Sequence, residues 1–274
     1  MQIRSSNCSP VFRAQSEFMI DPSTLAAIPV KAVYPVALVT GGARRIGASI
    51  VGCLHAQGFN VVIHCQRSIK EAKALAAELN RKRQNSVQVL EANLSEMNDF
   101  SSLIQRVMGF WGRLDALVNN ASTFYPTPVP TVTPAQWDEL FACNLKAPFF
   151  LIKAAAPYLK DQAGSVINVL DIYAERPLKD YPLYSVTKSG LLALTKAMAI
   201  ELAPDIRVNG VSPGAILWPE TDSALSKQNV LSKVALGRLG EVDDIAKTVL
   251  FLLSSAPYVT GQVIAVDGGR SLSI

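Results

Sequence analysis

Short runs of β-branched and apolar residues alternate with longer stretches of helical period from Pro35 onward. These runs predict seven strands, at residues 36–40, 60–65, 87–92, 116–120, 165–170, 206–211 and 262–267. Apolar strands separated by helices are typical of a parallel sheet that is covered on both faces. We therefore predict an α/β fold, a Rossmann-like, doubly wound, seven-stranded parallel sheet.

The segment before the first strand differs from the rest of the chain. Residues 1–34 contain serines and scattered arginines but no signal-peptide h-region, and Glu17 and Asp21 are unusual in a mitochondrial transit peptide. We expect an N-terminal extension with little order. A start site at Met19 and a weak targeting segment are the alternatives. Residues 35–274 are predicted to form a single dinucleotide-binding and catalytic domain.

Composition restricts the class of function. The net charge of +4 is too small to indicate a nucleic-acid binder. No apolar run approaches the roughly 18 residues of a spanning helix, so a membrane is not an expected partner either. The four widely spaced cysteines indicate reduced thiols in the cytoplasm. With only two histidines and no surrounding ligand cluster, no metal site is expected.

A glycine-rich sequence, TGGARRIG, follows the first strand at residues 40–47 and opens a helical stretch. Gly41 permits a tight turn, Gly47 permits close packing of helix on strand, and amides at a helix start attract phosphate. Arg45 replaces the usual middle glycine and brings a cation to the pyrophosphate. The alternative is a tight turn with solvated arginines.

The end of the second strand lacks a carboxylate. An NAD enzyme would place an acidic residue here, whereas this chain has Gln66, Arg67 and Ser68. Arg67 offers bidentate donors and Ser68 a hydroxyl to a 2'-phosphate, which favours NADPH as the cofactor. An ordinary exposed loop cation is the alternative for Arg67, and His64 is more typical of packing at a strand end.

A tyrosine and a lysine lie four residues apart in YSVTK, at residues 184–188, and on a helix they share one face. The free pKa of a phenol is near 10, and a nearby ammonium lowers it. The alternative for Tyr184 and Lys188 is a surface helix pair. Asp171 ends the fifth strand, where a carboxylate could instead cap backbone amides.

Six landmarks occur together in the chain: TGGARRIG, NNAS at 119–122, Asn144 in FACNL, YSVTK, SPG at 212–214 and VDGG at 266–269. Over residues 35–272 the chain resembles the short-chain dehydrogenases/reductases. The resemblance implies that Tyr184 exchanges the substrate proton, that Lys188 binds the nicotinamide ribose, and that Asn144 supports a proton-relay water. The expected cofactor-binding residues are Gly41, Arg45, Ile46, Gly47, His64, Gln66, Arg67, Ser68, Asn93, Leu94, Asn120, Ala121, Ser122, Asn144, Tyr184, Lys188, Pro213, Gly214 and Ile216.

Asp171 departs from the general family pattern, which has a serine at this place. An ionised carboxylate would repel the oxyanion that forms when hydride adds to a carbonyl, so simple ketone reduction is disfavoured. A substrate that accepts hydride at a C=N carbon and presents N–H groups suits a carboxylate. We therefore expect Asp171, Tyr184 and Lys188 to be the catalytic residues.

This pattern is similar to the pteridine reductase branch of the family. NNASTFYPTP resembles the branch's loop after the fourth strand, in which a serine touches cofactor and pterin and a phenylalanine stacks over the pterin. Asn93 stands where the family commonly has an aspartate beside the adenine, and the short segment 214–220 replaces a longer substrate loop. Trp218 and Pro219 in that segment indicate a bacterial-type member and leave the size of the pterin side chain open. The expected substrate-binding residues are Arg45, Ser122, Phe124, Asp171, Tyr181, Tyr184, Leu217 and Trp218.

The expected function is NADPH-dependent reduction of pterins or dihydropterins, with dihydrofolate as a further candidate. The first alternative is a carbonyl or quinone reductase in which Asp171 is protonated. The second is a non-catalytic NADPH sensor, although a sensor does not need the YxxxK pair. The resemblance also implies a homotetramer, in which the apolar stretch 188–202 packs across a twofold axis.

Overall fold

The structure, a computed structural model, describes residues 34–216 and 230–272. These ranges contain a single seven-stranded sheet in the order β3-β2-β1-β4-β5-β6-β7, with every pair parallel. The strands are β1 (Val36–Val39), β2 (Asn60–Cys65), β3 (Val87–Glu91), β4 (Ala116–Asn119), β5 (Ser165–Val169), β6 (Arg207–Pro213) and β7 (Val263–Val266). The predicted doubly wound α/β fold is confirmed.

Helices cover both faces of the sheet. The α-helices that lie wholly within these ranges are α1 (Arg45–Ala56), α2 (Ile69–Lys82), α3 (Phe100–Trp111), α4 (Pro134–Phe141), α5 (Ala147–Lys160), α6 (Pro182–Glu201) and α7 (Val242–Ser254). Apolar residues of α1, α2 and α7 form one core with Ala37 and Val39. Those of α3, α5 and α6 form the other with Val36 and Leu38. Alternate residues of β1 are thus buried against opposite layers, which explains its continuous apolar run.

The observed strand bounds differ from the predicted ones mainly at β6, which continues to Pro213. Parallel pairing with β7 extends this far, since Ser212 pairs with Ala265 and Pro213 with Val266. The apolar pattern ends earlier because Ser212 is polar, although backbone pairing does not require an apolar side chain.

The carboxyl ends of the strands gather the loops that carry the predicted site. β1 lies between β2 and β4 in the sheet, and the loops that follow β1 and β4 lead to helices on opposite faces. A crevice opens between these two loops, at the switch point of the sheet. Leu217, Trp218 and residues 1–33 lie outside the described residues. Among the helices of the described ranges, none is long and apolar enough to cross a membrane.

Candidate active site

The turn between β1 and α1 has the backbone geometry of a phosphate-binding loop. Gly41 has a left-handed φ of +60°, and a Cβ added to Gly47 would lie 2.1 Å from the carbonyl oxygen of Gly41. Arg45 opens the helix and is exposed. The helix start has no side-chain cap and no acidic residue in its first turn. Its first amides therefore have no side-chain acceptor and suit an anion.

The polar side chains of Thr40 and Asn120 hold this loop by hydrogen bonds. Thr40 Oγ1 accepts hydrogen bonds from the amides of Asn120 and Ala121, at 2.9 and 3.0 Å. Asn120 Nδ2 donates to the carbonyl oxygens of Thr40 and Gly41, at 2.9 and 3.0 Å. Asn120 and Ala121 thus connect the β4 loop to the glycine-rich turn, which fixes the loop before any ligand binds.

His64 also supports the loop, from inside the protein. Nδ1 lies 3.4 Å from the Gly41 amide nitrogen, and Nε2 lies 3.2 Å from the carbonyl oxygen of Ala92. Burial lowers the pKa of His64 to about 4, so the ring is neutral near pH 7. His64 is only 2% exposed and supports the loop from the interior, and its predicted contact with a cofactor stays a prediction.

The end of β2 presents the residues that the sequence predicts for a 2'-phosphate. Gln66 and Arg67 are exposed, and Ser68 stands at the start of α2 without capping it by its side chain. Their donors remain available to a ligand at this end of the crevice. Asn93, after β3, accepts a hydrogen bond from the Ser95 amide at 3.1 Å through Oδ1, and Leu94 is buried in the core.

The structure brings Asp171, Tyr184 and Lys188 together at the carboxyl end of β5. The Tyr184 hydroxyl donates to Asp171 Oδ2 at 2.8 Å, and Asp171 Oδ1 accepts from the Tyr173 amide at 3.0 Å. Lys188 Nζ donates to the carbonyl oxygen of Val169 at 2.9 Å. Asp171 therefore caps a backbone amide and contacts the phenol at the same time.

Electrostatics in this cluster differ from the expected lowering of the tyrosine pKa. Burial, and then the charge of Asp171, raise the pKa of Tyr184 well above its ordinary value. Lys188 does not offset this, because its ammonium is directed to Val169 and lies 5.6 Å from the centroid of the phenol ring. Burial also lowers the pKa of Lys188 to about 8 and raises that of Asp171. Without a ligand, the proton shared by Tyr184 and Asp171 is thus held on the phenol, which donates it to the carboxylate in a hydrogen bond.

Asn144 lies in a π-helical turn, Ala142–Lys146, between α4 and α5. Its Oδ1 accepts from the Thr123 amide at 2.8 Å and from Ser122 Oγ at 3.2 Å. Its Nδ2 donates to the carbonyl oxygen of Thr123 at 3.0 Å and to Thr187 Oγ1 at 3.2 Å. The side chain therefore connects the β4 loop to α6, and π turns of this kind are frequent at functional sites. Its role toward a relay water stays a prediction.

Phe124 forms an aromatic wall beside the reactive phenol. Its ring stacks on that of Tyr181, with centroids 4.5 Å apart, and meets Tyr184 edge to face at 4.7 Å. Phe124 is 51% exposed, so it is not the buried loop anchor that an aromatic residue usually provides. The loop is held by the Thr127 amide, which donates to the carbonyl oxygen of Asp180 at 2.7 Å.

The remaining predicted residues near the site mostly pack within the protein. Ile46 packs against the core and Ile216 is buried. Gly214 follows Pro213, and a Cβ on it would lie 2.4 Å from that of Asp267. A glycine is therefore required there for β6 and β7 to end side by side. Direct contacts of these residues with a cofactor stay predictions.

Two residues near the site were not predicted from the sequence. Tyr173 supplies the amide that binds Asp171, and Arg270, after β7, donates to the Tyr173 hydroxyl at 3.0 Å. Neither belongs to a motif. The one available signal was position, since VDGG ends the last strand and brings Arg270 to the edge of the sheet where the other strands carry the site.

Comparison with known proteins gives related reductases along most of the chain. The family model described as enoyl-(acyl carrier protein) reductase matches residues 41–271. Pteridine reductase 1 of Leishmania tarentolae is 38% identical over 280 residues, which cover 87% of this chain and 97% of the relative. The 3-oxoacyl-(acyl-carrier-protein) reductase FabG of Staphylococcus aureus is also 38% identical, over 239 residues, with 85% and 96% covered. The corresponding protein of Staphylococcus epidermidis is 37% identical, with 85% and 97% covered.

Proposed function

The chain belongs to the short-chain dehydrogenase/reductase family, and from this premise we propose that it reduces pterins or dihydropterins with NADPH. The family is one of oxidoreductases that use NAD(P)H. The observation that carries the proposal is the 2.8 Å hydrogen bond between Tyr184 and Asp171. A carboxyl group stands where a carbonyl reductase needs a neutral donor to the substrate oxygen, and a carboxylate is suited to accept N–H groups from a flat heterocycle.

The crevice offers donors both to the pyrophosphate and to the 2'-phosphate of NADPH. The uncapped start of α1 offers backbone donors to the pyrophosphate, and the close approach of Gly47 to Gly41 leaves no side chain in that place. Arg67 and Ser68 offer a cation and a hydroxyl to the 2'-phosphate. When bound, NADPH supplies the hydride.

The chain's own residues manage the proton. Hydride addition to the carbon of a C=N bond leaves an electron pair on nitrogen, and the Tyr184 hydroxyl donates its proton there. Asp171, hydrogen-bonded to the same hydroxyl, accepts an N–H from the substrate as a carboxylate, and the phenolate regains its proton from water. The net change per double bond is one hydride and one proton. Lys188, whose ammonium donates to the carbonyl oxygen of Val169 and lies 5.6 Å from the centroid of the phenol ring, would bind the ribose.

Phe124 and the nicotinamide would enclose the substrate ring from opposite sides. The phenylalanine is exposed, yet its orientation is fixed by its contacts with Tyr181 and Tyr184. A pterin stacked on a fixed aromatic ring gains about 0.5 to 1.5 kcal/mol beyond the burial of area. A pre-oriented wall also lowers the entropy that is lost on binding.

A second candidate function is reduction of a carbonyl. It is favoured by the 38% identity to 3-oxoacyl reductases and by the burial that raises the pKa of Asp171, since a protonated Asp171 could donate to a carbonyl oxygen. The two functions differ in the state of Asp171 that they require. Pterin reduction uses its acceptor oxygens, whereas carbonyl reduction requires its neutral, donating form.

The proposed function is tested by mixing the purified protein with NADPH and dihydrobiopterin. We expect tetrahydrobiopterin to form, with one NADPH consumed per product, as measured by chromatography with electrochemical detection. Absence of the tetrahydro product under conditions in which a ketone or quinone is reduced would contradict the proposal and favour the second candidate.

The choice of cofactor is tested at Arg67. In the variant Arg67→Gln, the Kd for NADPH should rise about 10- to 100-fold, because a charge-assisted hydrogen bond contributes roughly 1.5 to 3 kcal/mol. The Kd for NADH should stay within about 2-fold, since NADH has no 2'-phosphate. Lys73→Gln, an exposed position on α2, is the matched control. Equal weakening of both nucleotides would count against a 2'-phosphate contact.

Association of copies is also part of the proposal, with a homotetramer as the expectation. A cavity of about 340 Å³ lies between α5 and α6 and is lined by Phe141, Leu145, Lys146, Phe149, Phe150 and Leu194. Phe149 and Phe150 are 37% and 36% exposed on the same helix, which supports an interface on this face.

This interface is tested by Phe149→Glu, which places a charge on the apolar face. We expect the variant to sediment as a smaller species than the wild type, because a buried unpaired charge opposes association. Phe251→Glu, at a phenylalanine on α7 that is 47% exposed, should sediment as the wild type does. A wild-type monomer, or a Phe149→Glu variant of unchanged size, would exclude the proposed interface.

A further inference from the structure

Arg270 is a cation near the site with a neutral partner. Its Nη2 donates to the Tyr173 hydroxyl at 3.0 Å, and its guanidinium carbon lies 5.7 Å from the centroid of that ring. Among residues 34–216 and 230–272, no carboxylate lies within ion-pair distance of it. A guanidinium has five N–H donors in a planar fork, and the Tyr173 oxygen occupies only part of that set.

The backbone fixes the position of Arg270. Gly268 and Gly269 have left-handed φ values of +63° and +80°, which turn the chain sharply at the end of β7. The Asp267 carboxylate accepts from the amides of Gly269 and Ser271, at 2.9 and 2.6 Å. The nearest acidic residue in sequence is therefore engaged with backbone amides. Arg270 itself is half-buried, and the turn holds it in place. Its guanidinium could supply the two donors of a bidentate contact.

Tyr173 connects this cation to the reacting carboxyl group. Its amide donates to Asp171 Oδ1, and its hydroxyl accepts from Arg270. β5, β6 and β7 form one half of the sheet and β1, β2 and β3 form the other, so Arg270, after β7, lies on the half that carries Asp171 and not on the half that carries the predicted nucleotide loops. The positive charge of Arg270 lowers the pKa of Asp171, against the larger effect of burial, which is consistent with this proximity.

We propose that Arg270 is a specificity-determining residue that binds an anionic tail on the substrate, a carboxylate of the kind carried by dihydrofolate. This inference rests on the proposed pterin reduction. The flat ring lies at Phe124 and Tyr184, and a tail that extends past Tyr173 meets the free donors of the guanidinium. A planar carboxylate matches the fork geometry in a bidentate pair, and a phosphate tail shares the same chemistry.

The experiment compares kcat/KM for three substrates with saturating NADPH: dihydrofolate, a phosphorylated dihydropterin and uncharged dihydrobiopterin. In Arg270→Met, kcat/KM for dihydrofolate should fall about 10-fold or more, through KM, as expected when a charge-assisted contact is lost. On the alkaline side of the Asp171 titration, where loss of the Arg270 charge leaves Asp171 ionised, the value for dihydrobiopterin should stay within about 2-fold. Arg270→Lys should keep part of the preference, and Arg106→Met, exposed on α3, should keep all of it.

Each outcome decides the inference. A parallel fall for charged and uncharged substrates, or no change for either, overturns it, because the arginine then supports the site as a whole or does not contact the tail. A loss confined to the phosphorylated substrate supports the anion site and identifies its ligand as a phosphate. If Arg270→Met does not fold, Tyr173→Phe serves instead, since it removes the hydrogen bond that orients the guanidinium and should weaken only the anionic substrates.

The wild-type protein separates this inference from the proposed function. If it reduces none of the three pterins, the proposed function fails and the inference fails with it. If it reduces all three and Arg270→Met leaves their ratios unchanged, the inference alone fails.

Discussion

Replacement of Tyr184 by phenylalanine is expected to lower kcat for pterin reduction by about 10³-fold or more while the Kd for NADPH stays within about 2-fold. A positioned general acid typically raises the rate by 10²- to 10⁴-fold. Within the described part of the chain, no other side-chain hydroxyl donates a hydrogen bond to Asp171 and could replace that of Tyr184. The phenyl ring keeps the edge-to-face contact with Phe124, so the pocket should retain its shape.

Single-turnover kinetics with preformed NADPH complex measure the loss at Tyr184 directly, and quenching of nucleotide fluorescence measures binding. Tyr158→Phe, on α5, is the matched control for removal of a hydroxyl. Turnover by Tyr184→Phe at the rate of the wild type would exclude the tyrosine as the proton donor. Intact binding with lost turnover would also count against a pure nucleotide sensor, because a sensor gains nothing from the phenol.

Replacement of Asp171 by serine is expected to lower the reduction of pterins and to raise the reduction of carbonyl compounds. Pterin reduction should fall about 10²- to 10⁴-fold, since the carboxyl group that contacts both the phenol and the substrate is removed. Reduction of a 3-oxoacyl thioester should rise about 10-fold, because a serine hydroxyl can donate to the developing oxyanion that a carboxylate repels. Steady-state kinetics with both substrates at fixed NADPH give the two ratios.

The pH profile provides a second measurement on Asp171. Burial raises the pKa of its carboxyl, so an activity that needs the carboxylate should decline on the acid side at a higher pH than an exposed aspartate would cause. This acid limb in kcat/KM should be absent from Asp171→Asn, whose amide does not titrate. Thermal unfolding checks that loss of the Tyr173 contact has not unfolded the variant. Undiminished pterin reduction by Asp171→Ser would refute its proposed role.

The fold followed closely from the sequence because the sheet is buried on both faces. β1 and β2 are apolar or buried at every position, so their apolar runs mark the strands directly. The glycine-rich turn was identified by its context between a strand and a helix. Both features depend on local pattern and on rules of parallel topology, which a single sequence displays.

The electrostatics of the site did not follow from the sequence. Spacing predicts that Tyr184 and Lys188 share a helix face, but it does not reveal that the ammonium is directed to the carbonyl of Val169. Burial then dominates the pKa of both groups, and burial depends on the packing of several elements. The π-helical turn at Asn144 was equally hidden, because α4, the turn and α5 follow one another without a break in the chain.

Contacts between distant segments were the hardest to foresee. Arg270 and Tyr173 are separated by 97 residues and belong to no shared motif. Their meeting depends on the turn after β7 and on the order of β5, β6 and β7 in the sheet. Leu217 and Trp218, expected from the sequence to touch the substrate, stay predictions.

The most direct test of pterin reduction is a competition in one vessel. Equal concentrations of dihydrobiopterin and an acetoacetyl thioester are mixed with limiting NADPH and the wild-type protein, and both products are quantified by mass spectrometry. Their ratio equals the ratio of the two kcat/KM values, whatever the concentration of enzyme. We predict that the tetrahydropterin accounts for nearly all of the NADPH consumed. A product mixture dominated by the 3-hydroxyacyl thioester would contradict the proposed function.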